Sequence, residues 1–109
     1  NINSLIDWSH AKDIVVGMHL VLQKSHPSDF ILASGKPHSV KELLQISFEK
    51  VNLNWKDFVE FDQNCNEDKN CLVGDPAKAI KLGWTPKYSF HKMIKEMVEY
   101  DIETYKSQI

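Results

Sequence analysis

The chain has 109 residues, 13 Lys+Arg against 15 Asp+Glu, five His and 42% hydrophobic residues. That is the profile of one soluble globular domain, able to bury roughly 65% of the surface its unfolded form exposes without metals or disulfides as staples. No run approaches the about 18 uninterrupted apolar residues of a membrane span, and the bases, all Lys with no Arg, lack the clustering that a phosphate backbone demands, so neither membrane nor nucleic acid is an expected partner.

The segment from Ser9 to about Gln23 opens the structured chain. Ala11, Ile14, Val15, Met18 and Leu22 follow helical spacing while Val16, Leu20 and Val21 fall on other faces, which predicts a helix buried on more than one side, capped by Asp7 or Ser9. His26, Pro27 and Ser28 interrupt it, and Asp29 to Ser34 (DFILAS) reads as a short buried strand closed by Gly35. Ser39 followed three residues later by Glu42 is a capping-box pair ahead of the apolar rhythm Val40, Leu43, Leu44, Phe48 and Val51. Trp55 to Phe61 (WKDFVEF) predicts a second strand from its aromatic and Val content, and Asp62 to Asn70 a polar loop.

Gly74, Asp75 and Pro76 introduce a helix of about two turns from Asp75 to Leu82, with Gly83 where a left-handed residue would end it. Trp84, Thr85 and Pro86 form a turn. Ser89 then caps a long helix whose Phe90, Met93, Ile94, Met97, Val98, Ile102 and Tyr105 draw one apolar face, so that Met97→Asp is expected to unfold the chain. Two or three short strands among these helices form a sheet too small to cover its own faces, which predicts docking onto something larger. Asn1 in place of Met points the same way, to a longer parent chain, and with no charged-then-apolar leader in view a cytoplasmic, reducing compartment is expected.

No catalytic constellation emerges from the residues alone. The glycines Gly17, Gly35, Gly74 and Gly83 are isolated, so no phosphate-cradling turn is encoded. Cys65 and Cys71 lack the partners of a metal site and read as structural or incidental thiols. His10 and His19 lie nine apart on one helix and cannot share a metal, and His91 reads as solvent-facing or capping. Asp7 with His10 could orient and act as a base, but no nucleophile is anchored beside them, so capping is the simpler role.

Asn1 to Val15 (NINSLIDWSHAKDIV), Ser34 to Glu42 (SGKPHSVKE), Gly74 to Pro86 (GDPAKAIKLGWTP) and Phe90 to Asp101 (FHKMIKEMVEYD) together resemble the C-terminal part of the GDP-mannose 4,6-dehydratases, extended short-chain dehydrogenase/reductases. The four blocks occur in the family's order and cover nearly the whole chain. The Leu-Gly-Trp-x-Pro turn is shared by many nucleotide-sugar enzymes, whereas Asp-Trp-x-His-Ala-Lys-Asp with His-Ser-Val before a helix is more specific. The fold class implied is α/β in the parent and α+β-like here: one substrate domain over residues 1–109, mostly helical with two or three short strands, its NADP-binding Rossmann domain absent.

The resemblance also implies a reaction for the intact enzyme. NADP takes hydride from C4 of the mannosyl ring, water leaves across C5 and C6, and the hydride returns to C6, giving GDP-4-dehydro-6-deoxymannose. None of the residues for that chemistry lies in these 109 positions, so no catalytic residue, metal or bound cofactor is expected in this chain, which alone is expected to be inactive and to bind GDP-mannose weakly or not at all. Substrate contact is implied for the block Ile6, Asp7, Trp8 and His10, and homo-oligomers are compatible with the family. Two departures stand out. Ile6 occupies a position where the family has Arg, and the stretch from Asp62 to Val73 lacks the family's Arg-Pro-x-Glu-Val motif. At about 1.5–3 kcal/mol per charge-assisted contact, the two losses weaken binding by on the order of 10² to 10⁴-fold. The alternative is a non-catalytic structural or association module derived from a nucleotide-sugar epimerase, dehydratase or reductase.

Overall fold

In the computed structural model, which describes residues 1–62 and 71–108, the order of elements is β1 (Leu5–Asp7), α1 (Ala11–Leu22), β2 (Pro37–Ser39), α2 (Val40–Lys50), a 3₁₀ turn (Trp55–Asp57), α3 (Ala77–Leu82) and α4 (Phe90–Ser107). The described residues are about half helical, less than the mostly helical domain expected, with one two-stranded antiparallel sheet in which Ile6 faces His38 and Leu5 faces Ser39. Val40 N–H to the Ser4 carbonyl at 3.2 Å and Lys41 N–H to the Ile2 carbonyl at 2.8 Å extend the pairing into the start of α2.

The capping box at α2 is complete: Ser39 Oγ accepts from Glu42 N–H at 3.1 Å and Glu42 Oε2 from Ser39 N–H at 3.0 Å. Ser89 caps α4 by accepting from Lys92 N–H at 3.1 Å, and Gly83 ends α3 at φ 112°, where a Cβ would strain the backbone. Asp75 Oδ1 accepts from Ala77 N–H at 3.0 Å, so α3 starts about two residues later than the sequence predicts. The helix expected from Ser9 is α1, yet neither Asp7 nor Ser9 caps it; His10 does, its ring Nδ1 accepting from Lys12 N–H at 3.0 Å.

Two predicted strands are corrected. Asp29 to Ser34 runs without a ladder to any described residue, because an apolar run becomes a strand only where a neighbouring backbone lies within hydrogen-bonding reach. Trp55 to Phe61 turns instead: Asn54 Oδ1 accepts from Lys56 N–H at 3.1 Å, closing the 3₁₀ turn, and Trp55 is buried while Phe58 stacks on Phe48 at 5.7 Å. Of the expected polar loop, residues 63–70 lie outside the described residues, as does Cys65; Cys71 is exposed.

Packing concentrates in two places. Ile46 of α2 meets Phe90, Met93 and Ile94 of α4, with Trp8, Leu43 and Val98 against them. Around Trp84, Ala79 of α3 and Gly17 of α1 are buried, and a Cβ on Gly17 would come within 3.0 Å of the indole nitrogen. The apolar face of α4 is shorter than its sequence suggests, for Met97 is 56% exposed and Tyr105 67%. Val15, Val16, Met18 and Leu22 of α1 also face outward. The radius of gyration, 17.1 Å, exceeds the about 13 Å of a self-contained domain of this length.

Candidate functional site

An open cleft of about 540 Å³ lies where the end of β1, the segment before β2 and the approach to α4 converge. Trp8, His38, Tyr88 and Phe90 supply aromatic walls, Lys36, Lys87 and His91 also line it, and no Asp or Glu lines it among the described residues. His38 stacks flat on Phe90, with ring centroids 4.1 Å apart and 5° between planes, and its Nδ1 lies 2.9 Å from Glu42 Oε2. Trp8 Nε1 donates to the His38 carbonyl at 3.1 Å, so the sheet register places the indole over β2. Such a surface suits a polar, anionic ligand with a planar ring. It contains no paired nucleophile and base, and no group of three or more metal-ligating side chains occurs among the described residues.

The four residues assigned to substrate contact separate into two kinds. Ile6 is 39% exposed at the centre of β1, and Trp8 lines the cleft. Asp7 and His10 have their polar atoms turned inward. Asp7 Oδ1 accepts from Ser34 N–H at 2.9 Å and Ser34 Oγ–H at 2.6 Å, while its Oδ2 accepts from the N–H groups of Gly35 and Gly74 at 3.1 Å each. One carboxylate thus ties β1 to two distant segments. Gly74 is required for this approach, since a Cβ there would collide with the Cβ of Ala33.

Burial pushes the Asp7 carboxyl upward more than any other single influence, but the hydrogen bonds from Ser34, Gly74 and Gly35 together hold it below the ordinary value of 3.8. The folded-state value therefore lies below the unfolded one. Ionised Asp7 stabilises the fold at pH above about 3.8, and this contribution disappears as the pH falls through the lower folded value. Urea unfolding of Asp7→Asn should show lower stability than the parent at pH 7, with the gap closing in acid. A gap of equal size at both ends would mean that the carboxylate charge is irrelevant to the knot.

Sequence reasoning missed a second inward carboxylate. Asp13, in the first turn of α1, is 5% exposed; its Oδ1 accepts from Lys87 N–H at 2.9 Å and its Oδ2 from Tyr88 N–H at 3.0 Å. Its carbonyl accepts from Trp84 Nε1 at 2.8 Å. The signal was Gly17 one helical turn after Asp13, which opens that face of α1 to the close approach of the Leu32 and Trp84 side chains. His10 likewise serves packing: Nε2 lies 3.3 Å from Glu96 Oε1 and the ring stacks on Tyr88 at 4.1 Å. The hydrogen bond from Lys12 holds the exposed Glu96 carboxyl below its usual range, and Glu96 in return raises Lys12.

Comparison with known proteins adds an independent line of evidence. Residues 1–97 match the sequence profile of the GDP-mannose 4,6 dehydratase family. GDP-mannose 4,6 dehydratase 1 of Arabidopsis thaliana is 43% identical over 111 residues, covering 99% of this chain and 31% of that protein. The dTDP-glucose 4,6-dehydratase of Bacillus anthracis, solved in complex with NAD, superposes with a TM-score of 0.83 at 18% identity over 97% of this chain and 34% of its own. RMD from Pseudomonas aeruginosa, solved with NADPH, gives a TM-score of 0.80 at 16% identity over 96% and 35%. At such identities the structural likeness speaks for the fold alone. The chain spans about a third of the length of the curated relatives it matches.

Proposed function

This chain belongs to the GDP-mannose 4,6 dehydratase family, and from that premise we propose that it forms the sugar-nucleotide-binding part of an enzyme converting GDP-mannose to GDP-4-dehydro-6-deoxymannose. The match across residues 1–97, with an acid-free aromatic cleft at the end of β1, is the observation that carries this reading. NADP would supply the hydride chemistry, but this chain's own residues do not fit it. Gly35 and Gly74 donate their N–H groups to Asp7, Gly83 donates to the Ile80 carbonyl, and Gly17 lies inside α1, so no glycine turn remains to cradle a pyrophosphate.

The cofactor therefore belongs to a partner, a nucleotide-binding domain of the Rossmann type. Three features support this partner: the outward apolar residues of α1, the Asp29 to Ser34 segment, which joins no ladder among the described residues, and the large radius of gyration. Within the predicted substrate block, Ile6 and Trp8 are the side chains left to meet the ligand, while Asp7 and His10 hold the backbone that carries them. No described helix is long and apolar enough to cross a membrane, and a cytoplasmic setting is part of the proposal. A non-catalytic association module is the second reading, favoured by Ile6, which offers a nucleotide diphosphate no charge.

The test is to join this chain to the nucleotide-binding part of the Arabidopsis relative and titrate GDP-mannose calorimetrically into the chimera and into the chain alone. The chimera should bind and the chain alone should give negligible heat. Ile6→Arg in the chimera should tighten binding about 10- to 10²-fold, the value of one charge-assisted contact. A folded chimera that binds no GDP-mannose, with or without that Arg, would leave the association module as the surviving reading.

A further inference from the structure

His10 sits at a junction that lets its ring report proton uptake to two helices. As the cap of α1 it has extended backbone, φ −73° and ψ 135°, and its Nδ1 accepts from Lys12 N–H at 3.0 Å. An acceptor nitrogen carries no proton. The other ring nitrogen, Nε2, lies 3.3 Å from Glu96 Oε1 on α4, and a carboxylate partner there requires Nε2–H. The two contacts together select a single neutral tautomer. The side chain is only 12% exposed, so the ring has little freedom to turn and exchange its partners.

The groups facing the ring from each side are few. On α1, Lys12 Nζ lies 3.2 Å from the same Glu96 oxygen, and the Asp13 carboxylate is turned to the backbone of residues 87 and 88. From the approach to α4, Tyr88 stacks on the imidazole at 4.1 Å; Lys12 Nζ lies 5.7 Å and Lys92 Nζ of α4 4.8 Å from the Tyr88 ring centre. A proton can enter only at Nδ1, because Nε2 already holds one. Taking it from solvent converts the cap acceptor into a donor, which no longer suits Lys12 N–H, and converts Nε2–H···Glu96 into an ion pair.

We propose that His10 is a proton-operated cap: neutral, its Nδ1 holds the Lys12 N–H at the start of α1, and protonated, it gives up that one bond while holding more firmly to α4. The bonds from Asp13 N–H and Ile14 N–H to the His10 carbonyl, and those from Lys87 N–H and Tyr88 N–H to the Asp13 carboxylate, stay in place. Acidification thus releases one capping bond without parting α1 from α4. This holds whatever ligand the cleft receives.

Nitrogen NMR of the imidazole from pH 8 to pH 5 tests it. At pH 8 His10 should show a protonated Nε2 and a bare Nδ1. On acidification the Lys12 amide proton should lose its hydrogen-bonded shift with the same midpoint as the His10 ring. His10→Asn retains a capping oxygen that does not titrate, so its Lys12 amide should be insensitive to pH over this range. A neutral Nδ1–H tautomer, a Lys12 shift that ignores the His10 titration, or an Asn variant with the parent's pH profile would each overturn the proposal.

Discussion

Trp84→Ala should lower stability by about 3–5 kcal/mol, a large share of the about 5–15 kcal/mol that holds a domain folded, as read by urea denaturation followed by circular dichroism. Trp84 is 1% exposed and is the largest fully buried side chain. Its indole N–H is bonded to the Asp13 carbonyl at 2.8 Å, and its backbone N–H to the Ala79 carbonyl at 3.1 Å. Truncation opens a cavity between α1 and α3 and strands a buried acceptor. Met97→Asp is the control. With Met97 56% exposed, that change should stay within about 0.5 kcal/mol, against the unfolding that the helical spacing alone suggests. A Trp84→Ala protein as stable as its parent would place the real core elsewhere.

Asp13→Ala should cost about 2–6 kcal/mol, because it removes the acceptors of two backbone N–H groups, on Lys87 and Tyr88, at about 1–3 kcal/mol each. Asp13→Asn should recover about half of the loss, since its amide keeps one acceptor oxygen and turns a donor toward the other N–H. The two variants measured side by side in urea separate the hydrogen-bonding role from simple packing. If both cost less than about 1 kcal/mol, solvent already satisfies those amides and the connection into α4 is not anchored as described.

What could be read from the sequence were the features whose causes are local. The Ser39 and Glu42 pair, the Ser89 cap and Gly83 each depend on a few neighbouring residues, and all three behave as their spacing predicts. The periodicity of α1 and α4 located both helices, but periodicity describes only which residues share a stripe. It does not say whether another element covers it, which is why Met93 and Ile94 are buried and Met97 is not. β1 and β2, at three residues each, are too short for an alternating pattern to register.

The candidate site was legible in part for the same reason. The Ile6 to His10 block could be singled out from its residues, yet which of them face a ligand depends on partners far along the chain. Asp7 reaches Gly74 and Asp13 reaches Tyr88, separations of 67 and 75 residues. His38 was read only within the block before a helix and Phe90 only on the apolar face of the last helix, and Tyr88 carried no reading. Their convergence with Trp8 arises from the packing of α2 on α4 and the pairing of β1 with β2.

That no ladder among the described residues covers the backbone of Phe30 to Ala33 has a practical consequence for anyone preparing this protein. Phe30 and Leu32 share an apolar hollow with Met18 and Leu22 of α1, and Ile31 itself is 55% exposed. A segment of that kind templates intermolecular β-addition. Kept apart from whatever covers this edge, the polypeptide will precipitate as its concentration rises, and a Lys at position 31 would act as a gatekeeper against that loss.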